Sequence, residues 1–155
     1  KMDRYLNSYS VGLQNVGSYQ VSGQPFLTGS ETKPGQEYKI RFPRVTKSVT
    51  VIMSSSSPTV SLNTLDHLRV SFASTASSEV IQYSKNYITL GADGDAATFN
   101  VKCKEIFINC VTTQGEGAEP IMGFEILAEL TSIPTGSMYA LTGAGIAGGT
   151  EPESP

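Results

Sequence analysis

One stretch, Thr98–Val111, constrains this chain more than any other; it reads TFNVKCKEIFINCV. Phe99, Val101 and Cys103 alternate with Thr98, Asn100, Lys102 and Lys104, the period-2 pattern of a half-buried strand. After Lys104 the apolar set moves by one, to Ile106, Ile108 and Cys110, with Phe107 and Val111 on the other face. A slip of one residue sends every later side chain to the opposite face. Either a bulge near Lys104 and Glu105 restores the pairing, or the strand bends there and crosses to a second sheet. Both readings predict a central strand here, with shorter strands packed around it.

The same alternation recurs along the chain. Glu37–Phe42 sets Tyr38, Ile40 and Phe42 against Glu37, Lys39 and Arg41, and Pro43 ends it. Lys47–Met53 repeats it through Val49, Val51 and Met53, and Leu68–Phe72 through Leu68, Val70 and Phe72. Ser18–Val21, Phe26–Leu27, Val80–Tyr83 and Tyr87–Leu90 read as further short strands, and Pro25 suits an edge or a turn. Ser61–His67 reads as a helical turn. Gly123–Leu130 holds residues of good helix propensity, yet Phe124, Ile126, Ala128 and Leu130 alternate. About seven residues is too short for an isolated helix, so this segment is expected to be a strand. Lys33-Pro34-Gly35 marks a turn, and GADGD at 91–95 marks a hairpin turn.

Eight or nine short strands with Gly and Pro between them predict an all-β chain and an antiparallel β-sandwich; a jelly roll is the first choice of topology, although connectivity is not written in such a pattern. The expected organisation is an N-terminal arm over 1–17, a β-sandwich domain over 18–131 and a C-terminal arm over 132–155. Ordering a Gly- and Pro-rich tail costs roughly 1–2 kcal/mol per residue in backbone entropy. A surface must hold such a tail if it is ordered, and Ile133, Tyr139, Leu141 and Ile146 are the available anchors.

Charge is sparse, at 16% of residues, which suits short strands and tight turns better than disorder. The net charge of −3 conceals an asymmetry. Residues 1–104 hold all 11 Lys and Arg against 7 acids, a net of +4, and residues 105–155 hold 7 acids and no base, a net of −7. This split reads either as chance and solubility or, more sharply, as head-to-tail association, with a basic face of one copy meeting the acidic end of another. The basic residues form no dense cluster in an acidic protein, so nucleic acid is not an expected partner. No apolar run approaches the ~20 residues of a membrane span, so no membrane partner is expected. The N-terminus lacks the apolar core of a signal peptide, and Lys1 precedes Met2, which leaves the natural start open.

Nothing in the chain predicts chemistry. Cys103 and Cys110 are the only cysteines and fall on the apolar phase; along a continuous strand they lie about 23 Å apart, far beyond disulfide reach. They read as small core residues of a protein made in a reducing compartment. The single histidine, His67, has no Ser or Cys partner motif, and no clustered set of metal ligands is present. Asp93 and Asp95 supply too few oxygens for calcium. Glu125 and Glu129 sit on the polar phase of a strand, where solvation explains them. GAGIAGG at 143–149 lacks the Lys of a phosphate loop. With no Trp and scattered Tyr, a sugar-stacking platform is a weak expectation. The chain is therefore expected to be no enzyme, with no catalytic residue, cofactor or metal.

Four stretches carry a resemblance: VGSYQVSGQPFLTGS (16–30), KIRFPRVTKSVTVI (39–52), YITLGADGDAATFNVKCKEIFI (87–108) and ELTSIPTGSMYALTGAGI (129–146). Together they resemble small β-rich virion structural proteins of tailed phages and large DNA viruses, especially those of aquatic hosts. The resemblance implies a capsid decoration, cement or minor capsid component, assembled in the host cytoplasm and located in the virion. It implies homo-oligomers and contacts with the major capsid protein or other virion proteins. The expected interface comprises Lys39, Arg41 and Lys47 on the basic side and Ile133, Tyr139, Leu141 and Ile146 in the tail. A phage tail or fibre-base component is the nearest alternative, and a carbohydrate-binding β-sandwich module is the alternative from another class. On this reading, deleting Ser132–Pro155 is expected to leave a folded sandwich that no longer assembles.

Overall fold

The computed structural model describes residues 12–14, 16–19, 25–55, 66–74, 86–91, 93–111, 121–139 and 141. Among them run eight strands: β1 (Pro25–Thr32), β2 (Glu37–Arg41), β3 (Arg44–Ser55), β4 (His67–Ser71), β5 (Ile88–Leu90), β6 (Ala96–Phe99), β7 (Glu105–Val111) and β8 (Met122–Pro134). They form two four-stranded sheets, β1-β8-β3-β6 and β2-β7-β4-β5, antiparallel throughout. The chain is a β-sandwich. Short 3-10 turns at Val16–Tyr19 and Thr135–Ser137 flank the strands. The expected strands at Ser18–Val21 and Val80–Tyr83 and the expected helical turn at Ser61–His67 fall largely outside the described residues. Ser18 and Tyr19 end the first 3-10 turn and His67 opens β4.

One rule describes the pairing: β1 bonds β8, β2 bonds β7, β3 bonds β6 and β4 bonds β5. Among the described strands, β4 and β5 are the one sequence-adjacent pair that shares a sheet; every other connection passes from one sheet to the other. The GADGD turn follows this rule and is not a hairpin, because β5 and β6 lie in different sheets. Gly94 adopts φ 83°, open to glycine, and its N–H bonds the Met53 carbonyl at 2.9 Å. Met53 N–H bonds the Asp95 carbonyl at 2.8 Å, so the turn is tied to β3. At the β1–β2 crossing, Pro34 and Gly35 (φ 78°) occupy the middle of a tight turn closed by Gln36 N–H on the Lys33 carbonyl.

The slip after Lys104 marks such a crossing. β6 ends at Phe99 on the edge of one sheet, and β7 begins at Glu105 in the middle of the other. The stretch expected as one central strand is thus two strands joined by a bend. The bend is fastened to the β2–β3 corner: Phe42 N–H bonds the Lys104 carbonyl and Thr46 N–H bonds the Cys103 carbonyl. The Thr46 hydroxyl accepts the Cys103 N–H at 3.1 Å and reaches the Val101 carbonyl at 2.9 Å.

The core fills the space between the sheets with the inward phases. Val49, Val51 and Met53 of β3, Met122, Phe124, Ile126 and Ala128 of β8, and Ile106 and Ile108 of β7 are all buried. Phe99 and Val101, expected in the core, are only half-buried, because an edge strand and a bend lack neighbours on one side. Three edge-to-face aromatic pairs bridge the layers: Phe26 with Phe42, Tyr38 with Phe124 and Phe72 with Phe99, centroids 5.3–5.5 Å apart. Β8 runs to Pro134, past the expected domain boundary at 131. Its Ile133 joins Val45 and Met138 in a second buried cluster, against which Leu13 and Leu141 also pack.

Candidate assembly surfaces

The two outer faces differ because their strands differ in charge. On β2, β7 and β4 the outward phase carries Glu37, Lys39, Arg41, Glu105, His67 and Arg69. Cross-strand register places Lys39 and Arg41 around one carboxylate: Lys39 Nζ lies 2.8 Å and Arg41 Nε 3.9 Å from Glu105 Oε2. Lys39 also lies over the Phe107 ring, 5.1 Å from its centroid. Arg69 stacks over Tyr87 at 4.3 Å and donates from Nε to His67 Nε2 at 3.1 Å. His67 is therefore a half-buried hydrogen-bond acceptor at the start of β4.

Where the chain leaves β8, a cleft of about 420 Å³ opens, lined by residues that include Lys39, Phe72, Lys104, Glu105, Tyr139 and Leu141. Lys104 Nζ donates to the Met138 carbonyl at 3.3 Å, fixing the outgoing chain to the β6–β7 bend. The structure thus brings together three residues of the expected interface, Lys39, Tyr139 and Leu141. Arg41 stands exposed beside Glu105. Lys47 is exposed at an irregularity of β3, on the other sheet. Ile133 is fully buried within its own chain and so is no anchor for a neighbour. Tyr139 is exposed, Leu141 is half-buried against its own core, and Ile146 lies outside the described residues.

The outer face of the β1-β8-β3-β6 sheet carries less charge. Leu27 stands opposite Leu127, which stands opposite Thr50, which bonds Thr98 hydroxyl to hydroxyl at 2.9 Å. The next row is Gly29, Glu125 and Ile52. Leu27 and Leu127 are 71% and 41% exposed, the largest apolar exposure on the sheet. Ser48 donates to Glu129 Oε2 at 2.9 Å, so one of the two carboxylates has a local partner. This apolar pair was absent from the expected interface. A signal existed: Leu127 occupies the outward phase of FEILAEL between Glu125 and Glu129.

Cys103 and Cys110 are buried free thiols. Burial pushes both up to about 11; the Thr46 hydroxyl bond opposes this at Cys103, and the Asp66 carboxylate adds to it at Cys110. Such thiols are poor nucleophiles. Among the described residues no group of three His, Cys, Asp or Glu is placed to hold a metal ion, and no helix is long and apolar enough to cross a membrane. No family model matches the chain, and no curated protein matches it.

Proposed function

We propose that this chain is a structural virion protein, a capsid decoration, cement or minor capsid component, built on a single jelly roll. The observation that carries this reading is the strand order β1-β8-β3-β6 over β2-β7-β4-β5. Pairing first with last, second with seventh, third with sixth and fourth with fifth is what results when a long two-stranded ribbon is wound into a sandwich. Viral capsid domains, lectin domains and cupins share that winding. Fold alone does not choose among them, so the surface must.

A cupin-type metal site needs clustered ligands, and the chain has one histidine, engaged by Arg69. A lectin platform needs exposed aromatic faces; Tyr38 packs on Phe124 and Tyr87 lies under Arg69, which leaves Tyr139 as the exposed aromatic among the described side chains. Lattice contacts need apolar and hydrogen-bonding surface of low charge, which the Leu27–Leu127 face supplies. The protein acts by self-association and by contact with the major capsid protein, without turnover.

The test incubates the full chain with shells assembled from the major capsid protein of the proposed virion and counts bound copies by sedimentation. Saturable binding at lattice stoichiometry is the expected result. Saturation at a few copies per particle favours a tail or fibre-base component. Saturable binding on a glycan array, with none to shells, replaces this reading with a carbohydrate-binding module.

A further inference from the structure

We propose that β1 is a self-association edge. Two copies pair their β1 strands antiparallel about a two-fold axis at Thr28, and each seats its Leu27 over the other's Gly29. The inference rests on the self-association part of the reading above and names the surface that performs it.

The argument begins with the backbone. β1 has eight residues in unbroken register with β8 on one side and, among the described strands, ends the sheet on the other. An edge strand presents a row of unpaired N–H and C=O groups, a template for another strand. The remaining edges are poorer templates. β6 has four residues and β5 three, and β2 alternates Glu37, Lys39 and Arg41 along its five. Charges, above all Lys, are the usual protection of an edge, and β1 (PFLTGSET) has no base and a single acid, Glu31. Its proline stands at the first position, where it removes no interior donor.

The side chains then choose the register. Leu27 and Gly29 lie on the outward phase, and Phe26, Thr28 and Ser30 on the inward one. Gly29 lies at a shallow hollow of about 410 Å³, lined also by Leu27, Thr28, Ile52, Glu125 and Leu127, and it packs close to β8, since a Cβ there would stand 3.1 Å from the Phe124 carbonyl oxygen. Residues directly opposite in an antiparallel pair share a face, so the two-fold axis must pass through a residue. An axis at Gly29 would set Leu27 against the Glu31 carboxylate of the other copy. An axis at Leu27 would oppose the two leucines and leave both hollows empty. An axis at Thr28 opposes Leu27 with Gly29 in both directions, the self-complementarity that an isologous contact requires. It also keeps the two Glu31 side chains apart, each facing Pro25. The result is one continuous eight-stranded sheet with a shared apolar stripe. A single strand pair buries less than the ~1,200–2,000 Å² of a stable standard interface, so the contact is concentration-dependent and fit for a many-copy assembly.

The experiment places single cysteines in the full chain. The native thiols are buried, so an introduced one reacts alone. Thr28→Cys sets two thiols on the axis, with Cβ atoms about 4.5–5.5 Å apart, whereas Ser30→Cys sets them about 13 Å apart, four residues at ~3.3 Å each. Mild oxidation should cross-link Thr28→Cys several-fold more than Ser30→Cys. Leu27→Lys, at an exposed site, should weaken self-association at least tenfold by sedimentation velocity while melting like the parent. Equal cross-linking of the two cysteine variants, with Leu27→Lys associating like the parent, overturns the β1 edge and leaves self-association to another surface. A parent that stays monomeric at every concentration, with neither cysteine variant cross-linking, overturns both.

Discussion

Replacing Ile108 by alanine tests the architecture at its centre. Ile108 is fully buried in the middle of β7, opposite Tyr38 of β2 on one side and Val70 of β4 on the other. The substitution removes three buried carbons, worth about 2.4 kcal/mol at ~0.8 kcal/mol each. A cavity term adds to this, because β7 is hydrogen-bonded on both edges and cannot move inward to fill the space. The expected loss is about 3–4 kcal/mol, inside the ~2–5 kcal/mol range for such truncations. For a chain of this size that lowers the melting temperature by roughly 6–16 °C. Leu127→Ala, on the outer face of the other sheet, should cost less than about 1 kcal/mol. Urea unfolding followed by circular dichroism, with unchanged m, measures both. An Ile108→Ala loss below ~1 kcal/mol, or equal losses for the two variants, would refute the two-layer core.

Thr46→Val should cost about 1–3 kcal/mol, because it strands the buried Cys103 N–H and the Val101 carbonyl, and Thr46→Ser should recover most of it; denaturant midpoints that do not separate the two variants would argue against the corner staple. Deleting residues from Ser132 onward should destabilise the sandwich rather than leave it intact, since it removes Ile133 and Met138 from a buried cluster and the last residues of β8; thermal melts of the truncated chain decide. Cys110 ionises near 9.0 when unfolded and near 11 when folded, so the fold favours its protonated form. That contribution is complete below pH 9 and lost as pH rises to about 11. The stability gap between the parent and Cys110→Ala should therefore narrow over that window, and a gap constant through it would count against the buried thiol.

Alternation determined which residues face inward. The phases read at Val49, Val51 and Met53, at Ile106 and Ile108, and at Phe124, Ile126 and Ala128 are the buried ones, because a strand's period of two is a property of the backbone itself. The one-residue slip after Lys104 marked a bulge or a crossing without choosing between them, and the tertiary structure makes it a crossing. Connectivity was not written in the chain either. A Gly-rich turn closes a hairpin or carries the chain across a sandwich with the same residues, and GADGD does the second because β3 and β8 already pair at the centre of its sheet. Lys39, Tyr139 and Leu141 meet at one cleft because β2, β7 and the outgoing chain converge there, whereas Ile133 is withdrawn into its own core by Val45 and Met138. The apolar pair Leu27–Leu127 forms through register between strands about a hundred residues apart. Local patterning sets the face of each residue, and long-range pairing alone sets its neighbours.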